Sequence, residues 1–158
     1  GVDAEELEIY QAINSFPGSG RRFEKLAENL YSDYGHHPVE IQATLQMAKE
    51  LSNDVVLVYQ PHQNVRQHEI IDQYTDSIFH DANEIYWLPT YLTRENPDLP
   101  TLTPQQLAKN IDKEKIHFAE LDDSLWQEIT AARNSGKLVL CMGAGTIDGW
   151  IREQLAKN

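Results

Sequence analysis

Three short polar strings carry most of the residue types that do chemistry. Ser32-Asp33-Tyr34-Gly35-His36-His37-Pro38 puts a carboxylate, a phenol and two imidazoles side by side. Gln60-Pro61-His62-Gln63-Asn64-Val65-Arg66 adds a third imidazole and a guanidinium, and Gly143-Ala144-Gly145-Thr146 is a glycine-rich turn. Imidazoles exchange protons near neutral pH. A carboxylate accepts hydrogen bonds from hydroxyls, and a glycine turn leading into a helix lets backbone N–H groups approach an anion. Arg21 and Arg22, beside Gly18 and Gly20, form a fourth feature: paired guanidiniums that can grip phosphate oxygens. Each feature also has a plain reading. Asp33 caps the helix that follows, His36 and His37 are capping or surface residues, the glycines make a tight turn, and the arginines solvate a linker. Asp33, His36, His37 and His62 also have the donor types of a metal-dependent hydrolase, although adjacent histidines on a turn point in different directions, which argues against a structural metal. Cys141, in an apolar run, reads as a core thiol. His68, His80 and His117 read as structural, and Trp87, Trp126 and Trp150 as packing residues.

The elements that must position these strings are short apolar runs alternating with longer helical patterns. Residues 2–13 have helical spacing with acids in the first turns, and Pro17-Gly18-Ser19-Gly20 breaks it. Strands are expected over residues 30–33, 54–59, 84–88, 116–121 and 138–142; β-branched residues dominate the second. Helices are expected from Pro38 through Leu51, through Ile70, Ile71, Tyr74, Ile78 and Phe79, after the capping box Thr103-Pro104-Gln105-Gln106, through Leu125 to Ala132 with a stop near Gly136, and through Ile151 and Leu155. Strands alternating with helices predict an α/β fold: a doubly wound, mainly parallel sheet with helices on both faces. The three polar strings then leave strand carboxyl ends and converge on one rim, where such sheets bind ligands.

Composition narrows the partners. The chain has 158 residues, 41% of them apolar and 24% charged, which suits one globular domain. Its net charge of −12 argues against nucleic acid and anionic membrane as partners, since both need basic patches. A single cysteine fits a reducing compartment, and the sequence has neither a run long enough to span a bilayer nor a signal peptide at its acidic start. A soluble, cytoplasmic domain is expected.

Four strings in one order resemble the C-terminal domain of the Mur ligases: Gly18-Ser19-Gly20-Arg21-Arg22-Phe23, Asp33-Tyr34-Gly35-His36-His37-Pro38-Val39-Glu40-Ile41, Tyr59-Gln60-Pro61-His62 and Met142-Gly143-Ala144-Gly145. The resemblance runs from about Ile9 to the C-terminus. The second and third strings resemble in particular the bacterial member that joins L-alanine to UDP-N-acetylmuramate. It implies a Rossmann-like fold and a place in peptidoglycan synthesis: ATP with Mg²⁺ phosphorylates the sugar-acid carboxylate, and the amine attacks the acyl phosphate. The chain lacks a Gly-x-x-x-x-Gly-Lys-Ser/Thr loop. The resemblance therefore implies that residues 1–22 are the last helix and linker of a central ATPase domain and that residues 23–158 are the C-terminal domain. The N-terminal and central domains, which hold most of the ATP and Mg²⁺ contacts, would lie elsewhere, and the domain alone would be inactive. By position, Arg22 matches the arginine reaching the ATP phosphates, with Arg21 its neighbour, and Asp33 the aspartate holding the nucleotide. Tyr34, His36 and His62 match the cleft between nucleotide and amino acid, and Arg66 the clamp on the amino-acid carboxylate.

Departures from the pattern bear on specificity. The arginine usual after Gln-Pro-His is here Gln63, an amide without charge. The acidic pair before Tyr34 is Ser32-Asp33, and the usual Pro-Ala-Gly-Glu run reads Leu92-Thr93-Arg94-Glu95, in which Arg94 is a candidate replacement cation. The competing reading is a non-catalytic nucleotide-sugar-binding or regulatory module on the same fold.

Overall fold

A computed structural model describes residues 22–157. The expected helix over residues 2–13, the break at Pro17 to Gly20, and Arg21 lie outside the described residues. The strands are β1 (Glu24–Ala27), β2 (Leu30–Asp33), β3 (Val55–Tyr59), β4 (Glu84–Trp87), β5 (Ile116–Phe118) and β6 (Leu138–Met142). They form one sheet in the order β1-β2-β6-β3-β4-β5. Among the described residues only the β1–β2 pairing is antiparallel. The helices are α1 (Pro38–Leu51), α2 (Asn64–Ile70), α3 (Pro104–Leu107), α4 (Asp123–Asn134) and α5 (Ile147–Ala156).

Strand alternation sorts the core into two layers. Val55, Leu57 and Tyr59 of β3, with Leu138, Leu140 and Met142 of β6, pack against Ile41, Leu45 and Ala48 of α1, Ile70 of α2 and Leu107 of α3. Val56 and Val58, with Val139 and Cys141, pack on the other face against Leu125 and Ile129 of α4 and Ile147 and Ile151 of α5. Every residue of β3 and β6 is buried, as strands covered on both faces require. Connections from β2 out to β5 run over the first face and the return from β5 to β6 over the second. Crossovers of one hand demand that change of face when direction reverses. The expected doubly wound sheet is therefore borne out.

Three local expectations change. The run through Ile70, Tyr74 and Phe79 is not one helix: α2 stops at Ile70, a 3₁₀ turn covers Ile71–Gln73, and Ile78 and Phe79 donate to the Thr75 carbonyl in a following turn. Asp72, Thr75, Asp76 and Ser77 favour such local turns over helix, while Tyr74 and Phe79 still reach the core, so the spacing recorded burial and not helicity. The strand expected over 116–121 ends at Phe118. The hairpin strand β1 has no alternation to announce it; its one signal is Asn29, at φ 60° in the two-residue turn.

Two glycines give this fold a test of opposite sign. Gly136 ends α4 at φ +85°, while Gly149 lies exposed inside α5, and an added Cβ meets nothing within 4 Å at either. Gly136→Ala is expected to lower the unfolding free energy by about 1 kcal/mol through left-handed strain. Gly149→Ala should raise it by about 0.5–1 kcal/mol through helix propensity. Urea denaturation measures both; shifts of one sign would contradict the assigned helix ends.

Candidate functional site

Parallel register brings the three polar strings level. Asp33 pairs with Met142 and Met142 with Tyr59, so the loops after β2, β6 and β3 leave adjacent strands at one height. The chain from β6 turns to the second face and its neighbours to the first, opening a crevice at the end of β6.

Glu40 organises the first loop. Its Oε1 accepts from the backbone N–H groups of His36 and His37 at 3.3 and 3.1 Å, and its Oε2 pairs with Arg22 Nη2 at 2.8 Å. His37, the N-cap of α1, accepts from Val39 N at Nδ1, completing a capping box with Glu40 three positions on. The cap is thus His37 and not Asp33. Burial alone would push the Glu40 pKa up, but the Arg22 bond and the two amides outweigh it and hold the carboxyl below the ordinary range. Arg22 keeps about a quarter of its side chain exposed (24%). Asp33 is turned inward: Oδ1 accepts from Gly35 N and Oδ2 from Phe23 N, both at 2.7 Å, which fixes the turn and ties the entry of β1 to it.

The aromatic groups of three loops, those after β2, β3 and β4, meet at this rim. The His36 and His62 rings lie 5.2 Å apart between centroids, Tyr34 presents an edge to His36 at 5.8 Å, and Tyr91 stacks on His62 at 5.4 Å. His62 Nδ1 is buried with no hydrogen-bond partner. Burial first and His36 second lower the His62 pKa, against an opposing pull from Glu95. Tyr91 also lies on the glycine turn, where a Cβ at Gly145 would fall 2.5 Å from Tyr91 Cγ. Gln60 caps this turn, accepting from Ile147 N at 3.1 Å and donating to Thr146 Oγ1 at 2.9 Å, and Gly143 N donates to the Asp33 carbonyl. The glycines therefore serve close packing, and the amides of Gly143 and Ile147 already have partners. Beside Tyr91 a cleft of about 620 Å³ opens between Gln60, Thr90, Asp122 and Thr146.

The second loop is held differently. Gln63 and Arg94 both adopt left-handed backbone, at φ 67° and 52°, and Gln63 Nε2 donates to the Arg94 carbonyl at 3.3 Å. Glu95 accepts from the amides of Asn64, Val65 and Thr93; these bonds outweigh desolvation and keep its pKa low. Arg66 pairs with Glu69 along α2 at 3.4 Å and stays half exposed. The structure thus gathers Arg22, Tyr34, His36 and His62, and sets Gln63 beside Arg94. It turns Asp33 inward and engages Arg66 on its own helix. Glu40, Tyr91 and Glu95 were missed as site residues. The capping-box spacing signalled Glu40; nothing local signals Tyr91, whose contact with His62 spans two strands. Among the described residues no three His, Cys, Asp or Glu side chains gather to hold a metal ion; of the set considered for a hydrolase, Asp33 binds the amides of Phe23 and Gly35 and His37 caps α1. Cys141 is buried and its thiol pKa is pushed up by that burial, as a core residue's should be.

A family model described as Mur ligase, glutamate ligase domain, matches residues 21–145. The chain belongs to the Mur ligase family. The UDP-N-acetylmuramate–L-alanine ligase of Rickettsia massiliae (strain Mtu5) is 37% identical over 158 residues, covering 92% of this chain and 32% of that protein. The ligase of the same name from Rickettsia felis (strain ATCC VR-1525 / URRWXCal2) is 36% identical with the same coverage. The chain therefore spans about a third of these relatives' length. The solved UDP-N-acetylmuramate-alanine ligase of Thermotoga maritima has a TM-score of 0.56 at 20% identity, covering 96% of this chain and 35% of that one. A domain of a UDP-N-acetylmuramate:L-alanyl-gamma-D-glutamyl-medo-diaminopimelate ligase from Haemophilus ducreyi 35000HP gives 0.50 at 19% identity, covering 86% and 98%. These two structures bear on the fold alone, and they match this Mur ligase domain's sheet. Among the described residues no helix is long and apolar enough to cross a membrane.

The pKa shifts set an acid response. Stability from a carboxylate held low is present above its ordinary value of 4.5 and is lost as pH falls through the folded value. His62, held low, favours the neutral folded form, so its contribution starts to fall earlier, below 6.5. Urea denaturation should show stability declining from about pH 6.5 and then more steeply below about 4.5. Glu40→Gln should flatten the lower stage and leave the upper one. An unchanged lower stage would contradict the role given to Glu40.

Proposed function

We propose that this chain is the C-terminal domain of an ATP-dependent ligase that joins L-alanine to UDP-N-acetylmuramate in cytoplasmic peptidoglycan synthesis. In this reading residues 1–22 are the last helix and linker of the central ATPase domain, residues 23–158 are the domain itself, and the domain is inactive alone. The observation that carries it is the meeting of three separated strings, Asp33 to His37, Gln60 to His62 and Gly143 to Gly145, at the ends of three adjacent strands. In the reaction a carboxylate oxygen of UDP-N-acetylmuramate attacks the γ-phosphorus of ATP and ADP leaves. The L-alanine amine then attacks the acyl phosphate, phosphate leaves, and the amine gives up a proton.

The chain's own residues supply positioning and charge. The exposed part of the Arg22 guanidinium faces solvent beside the His36–His37 turn and would offset charge on the transferred phosphoryl group, with Arg21 its neighbour. Asp33 enters the nucleotide set through the turn it fixes. Tyr34, His36 and His62 line the cleft between nucleotide and amino acid. Gln63 and Arg66 belong to the amino-acid side: Arg66 would leave Glu69 to reach a carboxylate, and Arg94, whose carbonyl Gln63 holds, is the candidate replacement for the lost arginine. In this reading ATP and Mg²⁺ are held mainly by the central ATPase domain.

The test uses the longer enzyme that carries this chain. Arg22→Ala should reduce ADP release by about 10²-fold or more. Glu40→Gln, which breaks the same ion pair but keeps the guanidinium, should lose far less. Near-normal turnover of Arg22→Ala, or equal losses in the two variants, would refute a phosphate role.

A further inference from the structure

His36 and His62 sit on loops from different strands, and their rings touch without a hydrogen bond between them. Their spacing is set underneath. The Tyr59 hydroxyl lies 3.0 Å from the His36 carbonyl and 2.6 Å from the Tyr74 hydroxyl. The Tyr74 hydroxyl lies 2.5 Å from Gln67 Oε1, and Gln67 Nε2 donates to the His62 carbonyl at 2.9 Å. Tyr59, Tyr74 and Gln67 are all fully buried, so an unbroken polar chain runs through the core from one histidine backbone to the other.

We propose that Tyr74 and Gln67 are positioning residues that set the spacing of His36 and His62, tying the loop after β3 to the loop after β2. This rests on reading the crevice above them as the working face. Neither residue reaches that crevice, and both act through the backbone of a histidine. Their burial requires partners, because an unpaired hydroxyl or amide in the core costs about 1–3 kcal/mol.

Counting hydrogens gives the chain a direction. Three oxygen-to-oxygen contacts share two hydroxyl hydrogens, since the Gln67 amide hydrogen is committed to the His62 carbonyl. Burial drives the pKa of both phenols up, so neither is ionised at neutral pH. Tyr74 gives its hydrogen to Gln67, and the single Tyr59 hydrogen is shared between the His36 carbonyl and the Tyr74 oxygen. The His62 end therefore keeps its hydrogen bonds throughout, while the His36 end competes with Tyr74 for one hydrogen.

Proton NMR titration of the imidazoles in the 158-residue chain tests this without any ligand, so its result stands or falls apart from the ligase reading. His62 faces His36, Glu95 and the Tyr91 ring; His36 faces His62, Tyr34 and the Glu40 carboxylate that holds its amide. Tyr74→Phe and Gln67→Leu should each raise the His62 midpoint by about 0.3 pH unit or more, as the ring leaves its buried seat and moves from His36. Tyr59→Phe removes the contacts to His36 and Tyr74 but keeps the bonds from Tyr74 to Gln67 and from Gln67 to His62, and should move that midpoint less than Tyr74→Phe does. Phe79→Leu disturbs the same aromatic core, where Phe79 packs on the Tyr59 and Tyr74 rings, without removing a polar group of the chain, and should leave the midpoint in place while lowering stability. An unmoved midpoint in folded Gln67→Leu, or an equal shift in Phe79→Leu, would overturn the proposal; should Tyr74→Phe not fold, Gln67→Leu decides alone.

Discussion

The threading of β6 between β2 and β3 is the constraint on which the site depends. These three strands are not consecutive in the chain, and β6 enters last, after the path has run out to β5 and returned on the other face. Its ladder with both neighbours sets Asp33, Met142 and Tyr59 at one level. A one-residue slip of β6 would turn Val139 and Cys141 to the wrong layer and expose the alternation of two cores, so the hydrophobic pattern itself enforces the register. The height of the glycine turn relative to the histidine loops thus follows from apolar packing.

Above that frame, loop order comes from polar side chains with several partners each. Glu40 gathers two amides and a guanidinium, Asp33 two amides, Glu95 three amides, and Gln60 an amide and a hydroxyl. Each joins segments distant in sequence, and each is an acceptor serving N–H groups that a helix start or turn would otherwise leave unpaired. A chain of net charge −12 has few cations to offer an anion, which makes the partly exposed Arg22 prominent.

The sheet was legible in the sequence because fully buried strands such as Val55 to Tyr59 and Leu138 to Met142 are apolar throughout, and Gly136 and the capping box at Thr103 marked helix ends. The hairpin strand β1 was not, since Glu24 to Ala27 has no buried face of its own. The stretch from Ile71 to Phe79 misled because burial at helical spacing does not require helix. For the site, convergence of the three strings followed from parallel topology. The inward turn of Asp33 and the stacking of Tyr91 on His62 did not, because both depend on contacts between distant segments that no local pattern encodes. Gln63 shows a different limit: its type signals a lost charge, but only the structure sets Arg94 against it, with both residues in left-handed backbone.

The most direct measurement is ADP release by the full-length enzyme carrying this chain, with UDP-N-acetylmuramate and ATP–Mg²⁺, comparing L-alanine, glycine, L-serine and no amino acid. The account predicts release that depends on L-alanine, with Gln63 tolerated. Folded protein that releases no ADP with any of these amino acids would contradict it and favour a non-catalytic nucleotide-sugar-binding module.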